Sequence, residues 1–141
     1  MYEVKAKYMK LDEATGKVKK VSEVFLVDAV SVTDSEAIVI KELEGYNQEV
    51  FITGSNVSKI QEVFNYQDSE NWFKCKVQYV DVDQKSGKEK KFTMQVIVCA
   101  ENSEQAVQRV QESLSTMIVP FTVPSVQLSK IVEYIQTKPV E

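Results

Sequence analysis

The chain writes one stretch twice. A shift of 71 positions lays Tyr2–Val27 on Phe73–Val98, matching Tyr8 with Tyr79, Asp12 with Asp83, Gly16-Lys17 with Gly87-Lys88 and Lys19-Lys20 with Lys90-Lys91. The same shift lays Ser58-Lys59-Ile60 and Glu62 on Ser129-Lys130-Ile131 and Glu133. A repeat constrains a fold more tightly than composition does. Each copy, roughly 65 residues, is one supersecondary unit with too little surface to bury its own apolar face. The expected organisation is a single domain, 1–141, made of a first repeat (1–66), a linker (67–71), a second repeat (72–136) and a tail (137–141).

Within each copy the pattern begins with period two, the mark of a half-buried strand. Tyr2, Val4, Ala6 and Tyr8 alternate with Glu3, Lys5, Lys7 and Met9. A polar connection, Asp12–Lys17, contains Gly16 and has hairpin length, and a Val- and Phe-rich strand follows over Val18–Ala29. A tight hairpin sets Tyr8 opposite Val21, Val4 opposite Phe25 and Tyr2 opposite Val27. The other face then pairs Lys5 with Val24, Lys7 with Ser22 and Glu3 with Leu26. The second copy repeats this with Phe73, Cys75, Val77 and Tyr79 on one face, and Trp72, Lys74, Lys76 and Gln78 on the other.

Thr33-Asp34-Ser35-Glu36 reads as a capping box, and a helix to about Glu44 has Ala37, Ile40 and Leu43 as its core stripe and Gly45 as its stop. The second helix opens on Asn102-Ser103-Glu104-Gln105 and carries Val107, Val110, Leu114 and Met117 on one stripe. Here the offset between copies reads as 69 or 70. Glu49–Thr53 looks like another strand. Val57–Phe64 and Ser125–Gln136 read as extended, the first with a kink. Pro120 and Pro124 bar a central strand along the whole segment between them. Each unit is therefore β-β-α-β, and the fold class is α+β: two tandem repeats forming antiparallel sheets with one helix each, related by an internal pseudo-two-fold. The copies cover each other edge to edge or face to face.

Composition narrows the function classes. The chain is 43% hydrophobic and 27% charged with a net charge of −4, an ordinary globular balance and not that of a general nucleic-acid binder. Residues 1–66 carry 8 lysines and 11 acids, whereas 71–141 carry 9 basic residues and 8 acids. There is no histidine, which removes most zinc and proton-relay chemistry, and the two cysteines, Cys75 and Cys99, sit in no ligand spacing. No apolar run has signal-peptide or membrane-span length, so a cytoplasmic setting is expected.

Two features carry candidate chemistry. The repeated Gly-Lys-x-Lys-Lys turns (Gly16–Lys20, Gly87–Lys91) cluster Lys19, Lys20, Lys90 and Lys91 where they could meet phosphates. The bland explanation is a solubilising turn whose lysines guard the strand ends. Only one glycine precedes the lysine and a strand follows, so this is no Walker loop. Aromatics interleaved with lysine at Trp72, Lys74 and Lys76 suggest a stacking platform for single strands. Parity restricts it, because the tyrosines face away from the lysines and only Trp72 shares their side. No catalytic, cofactor or metal residue is assigned: Cys75 reads as a core side chain, Cys99 lacks a base, and carboxylate pairs such as Asp81 with Asp83 are spaced for a solvated surface.

The whole chain resembles an uncharacterised family of duplicated proteins of this length, known chiefly from Bacteroidetes bacteria and some of their phages. The resemblance rests on Tyr-x-Val-Lys-x-Lys-Tyr at Tyr2–Tyr8, the two Gly-Lys-x-Lys-Lys turns, Trp72-Phe-Lys-Cys-Lys-Val and the Ser-Lys-Ile-x-Glu endings. It implies a bacterial or phage setting and transfers no activity to any residue. The expected function is a non-enzymatic binding or adaptor module, acting through protein contacts on the mixed sheet face or an exposed edge strand. The alternative is a weak nucleic-acid binder using the lysine-rich tips. An unknown protein partner is expected, nucleic acid is the second choice, membrane is not expected, and a homo-oligomer is compatible with either.

Overall fold

In the computed structural model of the protein, residues 1–44 and 49–136 are described. The alternating first segment forms β1 (Tyr2–Asp12) and β2 (Lys17–Asp28), paired antiparallel with Tyr2 opposite Val27, Val4 opposite Phe25, Lys5 opposite Val24 and Tyr8 opposite Val21. That is the register a tight turn demands. Gly16 closes it at φ +71°, a region that side chains rarely adopt, and its N–H donates to the Asp12 carbonyl at 2.7 Å. After helix α1 (Val32–Glu44) come β3 (Val50–Val57) and β4 (Ile60–Phe64). The second copy follows the same order: β5 (Trp72–Val82), β6 (Glu89–Cys99), helix α2 (Ser103–Ser113), β7 (Phe121–Leu128) and β8 (Ile131–Gln136). Its turn repeats too, with Gly87 at φ +73° and its N–H on the Asp83 carbonyl at 2.7 Å.

The architecture is α+β, with two four-stranded sheets and two helices among the described residues. The sheet orders are β3-β1-β2-β8 and β4-β6-β5-β7. Each sheet is thus three antiparallel strands from one repeat plus one parallel strand from the other. β8 runs beside β2, and β4 runs beside β6. They dock identically. Ile131 faces Val24, Val132 is skipped and Glu133 faces Phe25; Ile60 faces Gln95, Gln61 is skipped and Glu62 faces Val96. The chain therefore forms two compact units, Met1–Ser58 with the segment from Lys130, and Lys59–Ser129. Their borders differ from the repeat borders at 66 and 72.

Connection length explains the exchange. β3 and the slot beside β2 lie at opposite edges of one sheet, three strand spacings or roughly 14 Å apart. β3 already runs parallel to β2, so a strand filling that slot would first have to return the length of β3. Only Ser58 and Lys59 separate β3 from β4, and two residues span at most about 7 Å. β4 cannot reach its own sheet. The kink expected within Val57–Phe64 is this two-residue break, and Ser125–Gln136, expected to be extended, is broken in the same way at Ser129 and Lys130.

The first unit's core gathers Val4, Ala6, Tyr8, Phe25, Val27, Val39, Leu43 and Ile135; the second's gathers Phe73, Cys75, Val77, Val96, Val98, Ala100, Ala106 and Val110. The helix stripe differs from expectation. Ser35, Val39 and Leu43 are buried, whereas Ala37 and Ile40 are exposed. A serine in the stripe hid it from hydrophobic periodicity; its hydroxyl donates to the Val32 carbonyl at 2.6 Å and lies 2.8 Å from Ser55 Oγ, so its burial leaves no polar group unpaired. The cap also moves from Thr33 to Ser31, whose Oγ accepts the Asp34 N–H at 3.0 Å while Asp34 accepts from Val30 N–H at 3.1 Å. Asn102 and Gln105 do the same for α2, at 2.8 and 2.7 Å. The offset of 71 accordingly holds through the helices: Ser35, Val39 and Leu43 match Ala106, Val110 and Leu114. Met117 falls beyond α2, and Val107 is only half-buried. The expected stop at Gly45 and the tail 137–141 lie outside the described residues.

Pro124 sits in an edge strand, as a missing N–H requires. The β5–β7 register shifts between Lys76 and Gln78 where Pro124 falls, and β1–β3 shifts between Lys5 and Ala6 at Thr53, the equivalent position. Both copies carry a bulge there, and bulges blunt sheet edges.

Candidate functional site: the hairpin arms

Both hairpins outrun their sheets. Among the described residues, β3 pairs with β1 only as far as Tyr8 and β8 meets β2 only from Val24 onward, so there the distal hairpin is a two-stranded ribbon. In the second unit β7 stops at Tyr79 and β4 begins at Gln95. Residues 9–20 hold four lysines against two acids, and residues 80–91 hold four against three. Half of the chain's sixteen lysines thus sit on two arms of a protein whose net charge is −4.

Strand parity sorts the side chains. On the face opposite the helix, arm one carries Met9, Leu11, Val18 and Lys20, continuing to Lys5 and Lys7; arm two carries Val80, Val82, Glu89 and Lys91, continuing to Lys76. The aliphatic members are solvent-exposed, Leu11 and Val18 at 57% and Val82 at 55%. On the helix side lie Lys10 and Lys19, and in arm two Lys90 beside Asp81. The nominated lysines 19, 20, 90 and 91 are all exposed, but Lys20 and Lys91 face away from Lys19 and Lys90. Lys19 Nζ stands 3.5 Å from Asp12 Oδ2, and Lys90 Nζ lies 5.9 Å from the Phe92 ring centroid. Such exposed pairs contribute little to stability.

Trp72 lies elsewhere. Its side chain is 5% exposed, and Lys74 is half-buried while Lys76 is open. A buried indole offers no face for a base to stack on, so Trp72, Lys74 and Lys76 do not form an open platform. Leu26 and Ile97, also on the faces away from the helices, are fully buried.

Residues 1–137, which include both repeats and both arms, match a domain of unknown function, DUF4494. The chain belongs to the DUF4494 family. No curated protein and no solved structure matches it. Among the described residues of this DUF4494 chain, no helix is long and apolar enough to cross a membrane, and no group of three or more acidic or cysteine side chains could hold a metal ion.

Hydrophobic pattern gave no hint of the polar node around Arg109, the chain's sole arginine. Its guanidinium donates to both Asp68 oxygens at 2.7 and 2.5 Å and to the Cys99 carbonyl at 2.8 Å, and it stacks 4.4 Å from the Tyr66 ring centroid. Tyr66 Oη donates to the Arg109 carbonyl at 3.2 Å and lies 2.9 Å from Ser113 Oγ. Ser69 Oγ donates to the Ala100 carbonyl at 2.8 Å. The node pins the inter-repeat linker to α2 and the end of β6. Arginine suits this role because its planar fork meets a carboxylate bidentately. The pairing holds the Asp68 carboxyl below its ordinary range, chiefly through the Arg109 hydrogen bonds. Arg109→Leu is expected to accelerate amide hydrogen exchange at Tyr66 and Ala100 while leaving exchange in β1 and β2 unchanged. Uniform acceleration across the chain would mean the node supports the whole fold and not the linker.

Cys75 and Cys99 are free and buried, opposite Val96 and Trp72 and so on opposite faces of their sheet. Burial pushes the Cys75 thiol from 9.0 up to about 11. Burial also raises the Tyr8 phenol, aided by its hydrogen bond to Glu23. Both groups are neutral when folded. Their contribution is therefore intact below the unfolded pKa and fades as pH rises through the folded one. For Cys75 that window is pH 9 to 11. Chemical denaturation should show stability flat from pH 7 to 8.5 and falling above 9, with Cys75→Val retaining more of it. Thiol titration in denaturant without reductant should find two free thiols.

Proposed function

We propose that this DUF4494 protein is a non-enzymatic binding or adaptor module that acts through protein contacts made by the helix-distal faces of its hairpin arms. One observation carries the reading. Met9, Leu11 and Val18 are exposed beside Lys20, and next to Lys5 and Lys7, on a ribbon with no further strand among the described residues; Val80, Val82, Lys76 and Lys91 repeat the arrangement in part, with Glu89 where the first arm has Val18. A solubilising tip has no need of exposed aliphatics in both copies, whereas aliphatic groups ringed by cations suit a protein partner. The setting that goes with it is the cytoplasm of a bacterium or a phage-infected cell, supported by two unpaired buried cysteines.

The test is site-specific photo-crosslinking. A benzophenone amino acid at Leu11 or Val82 should give a discrete, nuclease-resistant protein adduct in the native host, and the same probe at exposed Glu104 should not. Adducts only to nucleic acid, or none at either arm, would overturn the reading.

A second reading is weak nucleic-acid binding by the same arms. Its support is that a two-stranded ribbon fits the major groove and that eight lysines lie on two of them. Binding would then weaken steeply with salt, and replacing Lys19, Lys20, Lys90 and Lys91 by glutamine should abolish it without altering the circular dichroism. Anisotropy with labelled single- and double-stranded oligonucleotides decides it. Binding that survives both raised salt and the four substitutions would exclude the tips.

A further inference from the structure

We propose that the open edges of β2 (Lys17–Glu23) and β6 (Glu89–Met94) take up an extended, acidic, aliphatic protein segment as an added β-strand. The inference rests on the protein-binding reading above and names the chemistry of the partner.

The argument begins with backbone. β1 occupies one side of β2 along its whole length, but among the described residues the other side has a strand partner only from Val24, where β8 begins. Seven residues of β2 therefore present an unpaired edge in line with β8. On β6 the corresponding edge ends at Gln95, where β4 begins. A regular strand with one free edge is a template for another chain, and strand addition draws its affinity from main-chain hydrogen bonds. The outer edges of β3 and β7 are broken by their bulges at Thr53 and Pro124, whereas the β2 and β6 pairings show no shift along the arms.

Charge then selects the occupant. The free edge of β2 carries Lys17, Lys19 and Glu23 on the helix side and Lys20 on the other, with Val18 exposed beside it; that of β6 carries Lys90 on the helix side and Lys91 with Glu89 on the other. A second copy pairing antiparallel over the whole free edge of β2 sets Lys20 against Lys20, where like charges are destabilising, while Glu23, which would face Lys17, already bonds Tyr8 and Lys10. An incoming strand with acids meets a lysine whichever face its carboxylates take. Its apolar residues meet those of the strand it pairs with, Val18 and Val21 on β2 or Phe92 on β6. A phosphate backbone would satisfy the lysines but leave both the edge and the aliphatic groups unused. The four lysines singled out in the sequence thus become specificity elements of a strand-addition site.

The experiment uses the full chain and four probes: an acetylated, amidated ten-residue peptide alternating Glu and Val, the same peptide N-methylated at every second residue, a Lys–Val counterpart, and a twenty-base-pair DNA duplex. Binding is followed by anisotropy at low salt. The Glu–Val peptide should bind at least tenfold tighter than the methylated and the Lys–Val peptides. The charge-reversed variant K19E/K20E/K90E/K91E should invert the preference between Glu–Val and Lys–Val, a readout that a misfolded protein would not give. Equal binding of the methylated peptide would show charge attraction alone, and duplex binding tighter than the peptide would assign the lysines to phosphate; either overturns the proposal. Absence of peptide binding also overturns it. If the Leu11 and Val82 crosslinks to protein persist in that case, only the strand-addition inference falls; if they too are missing, the protein-binding reading falls with it.

Discussion

Residues 1–66 produced alone should dimerise and not fold as a monomer. The fragment keeps β1, β2, α1 and β3 but loses β8, so the parallel slot beside β2 is empty and Ile135 is missing from the core. It also keeps β4, which cannot reach that slot in its own sheet through Ser58 and Lys59. A second copy of the fragment supplies the answer. β4 of each molecule enters the β2 slot of the other, since Ser58-Lys59-Ile60-x-Glu62 matches Ser129-Lys130-Ile131-x-Glu133 and both strands dock with the same skipped residue. Exchange of an equivalent element is a low-cost route to a dimer. Light scattering coupled to size exclusion should give twice the fragment mass, and Ile60→Asp should leave an unfolded monomer. A monomeric, cooperatively folded 1–66 would show that the slot needs no strand.

The largest single-residue effect is expected at Phe25. Its side chain is 2% exposed at the centre of the first core, on the strand held between β1 and β8. Phe25→Ala should cost about 3–5 kcal/mol, for a lost aromatic side chain plus the cavity left behind. That is a large share of the roughly 5–15 kcal/mol that holds a domain together. Trp72, the chain's sole tryptophan, lies in the other unit. Each unit takes its fourth strand from the other repeat through a two-residue connection, so disorder in β3 or β8 of the first unit frays β4 and β7 of the second. The tryptophan fluorescence transition in denaturant should therefore move with the circular dichroism transition, in the parent and in Phe25→Ala alike. A fluorescence midpoint unmoved by Phe25→Ala would mean that the units unfold independently.

The expected α+β class, the duplication and both hairpin registers appear in the structure because they are local, but each repeat is β-β-α-β-β, one strand longer than the expected β-β-α-β. Alternation commits each strand to a face, a one-residue slip would turn Val4 and Phe25 toward water, and Gly16 and Gly87 set the turns. The helix stripes were harder. Ser35 is polar by composition yet buried by position, and only its hydrogen bonds to Val32 and Ser55 explain why. Of the proposed contact residues, the lysines at 19, 20, 90 and 91 were visible as a repeated motif, while the burial of Trp72 and the exposure of Leu11 and Val18 were not. Parity tells which face a side chain takes but not what lies over that face. The amino-acid sequence by itself determined the repeat and the pairing within each hairpin, both decided over a few residues. The tertiary structure alone decided which strand completes each sheet, because β4 and β8 match both slots in pattern and only the reach of a two-residue connection separates them.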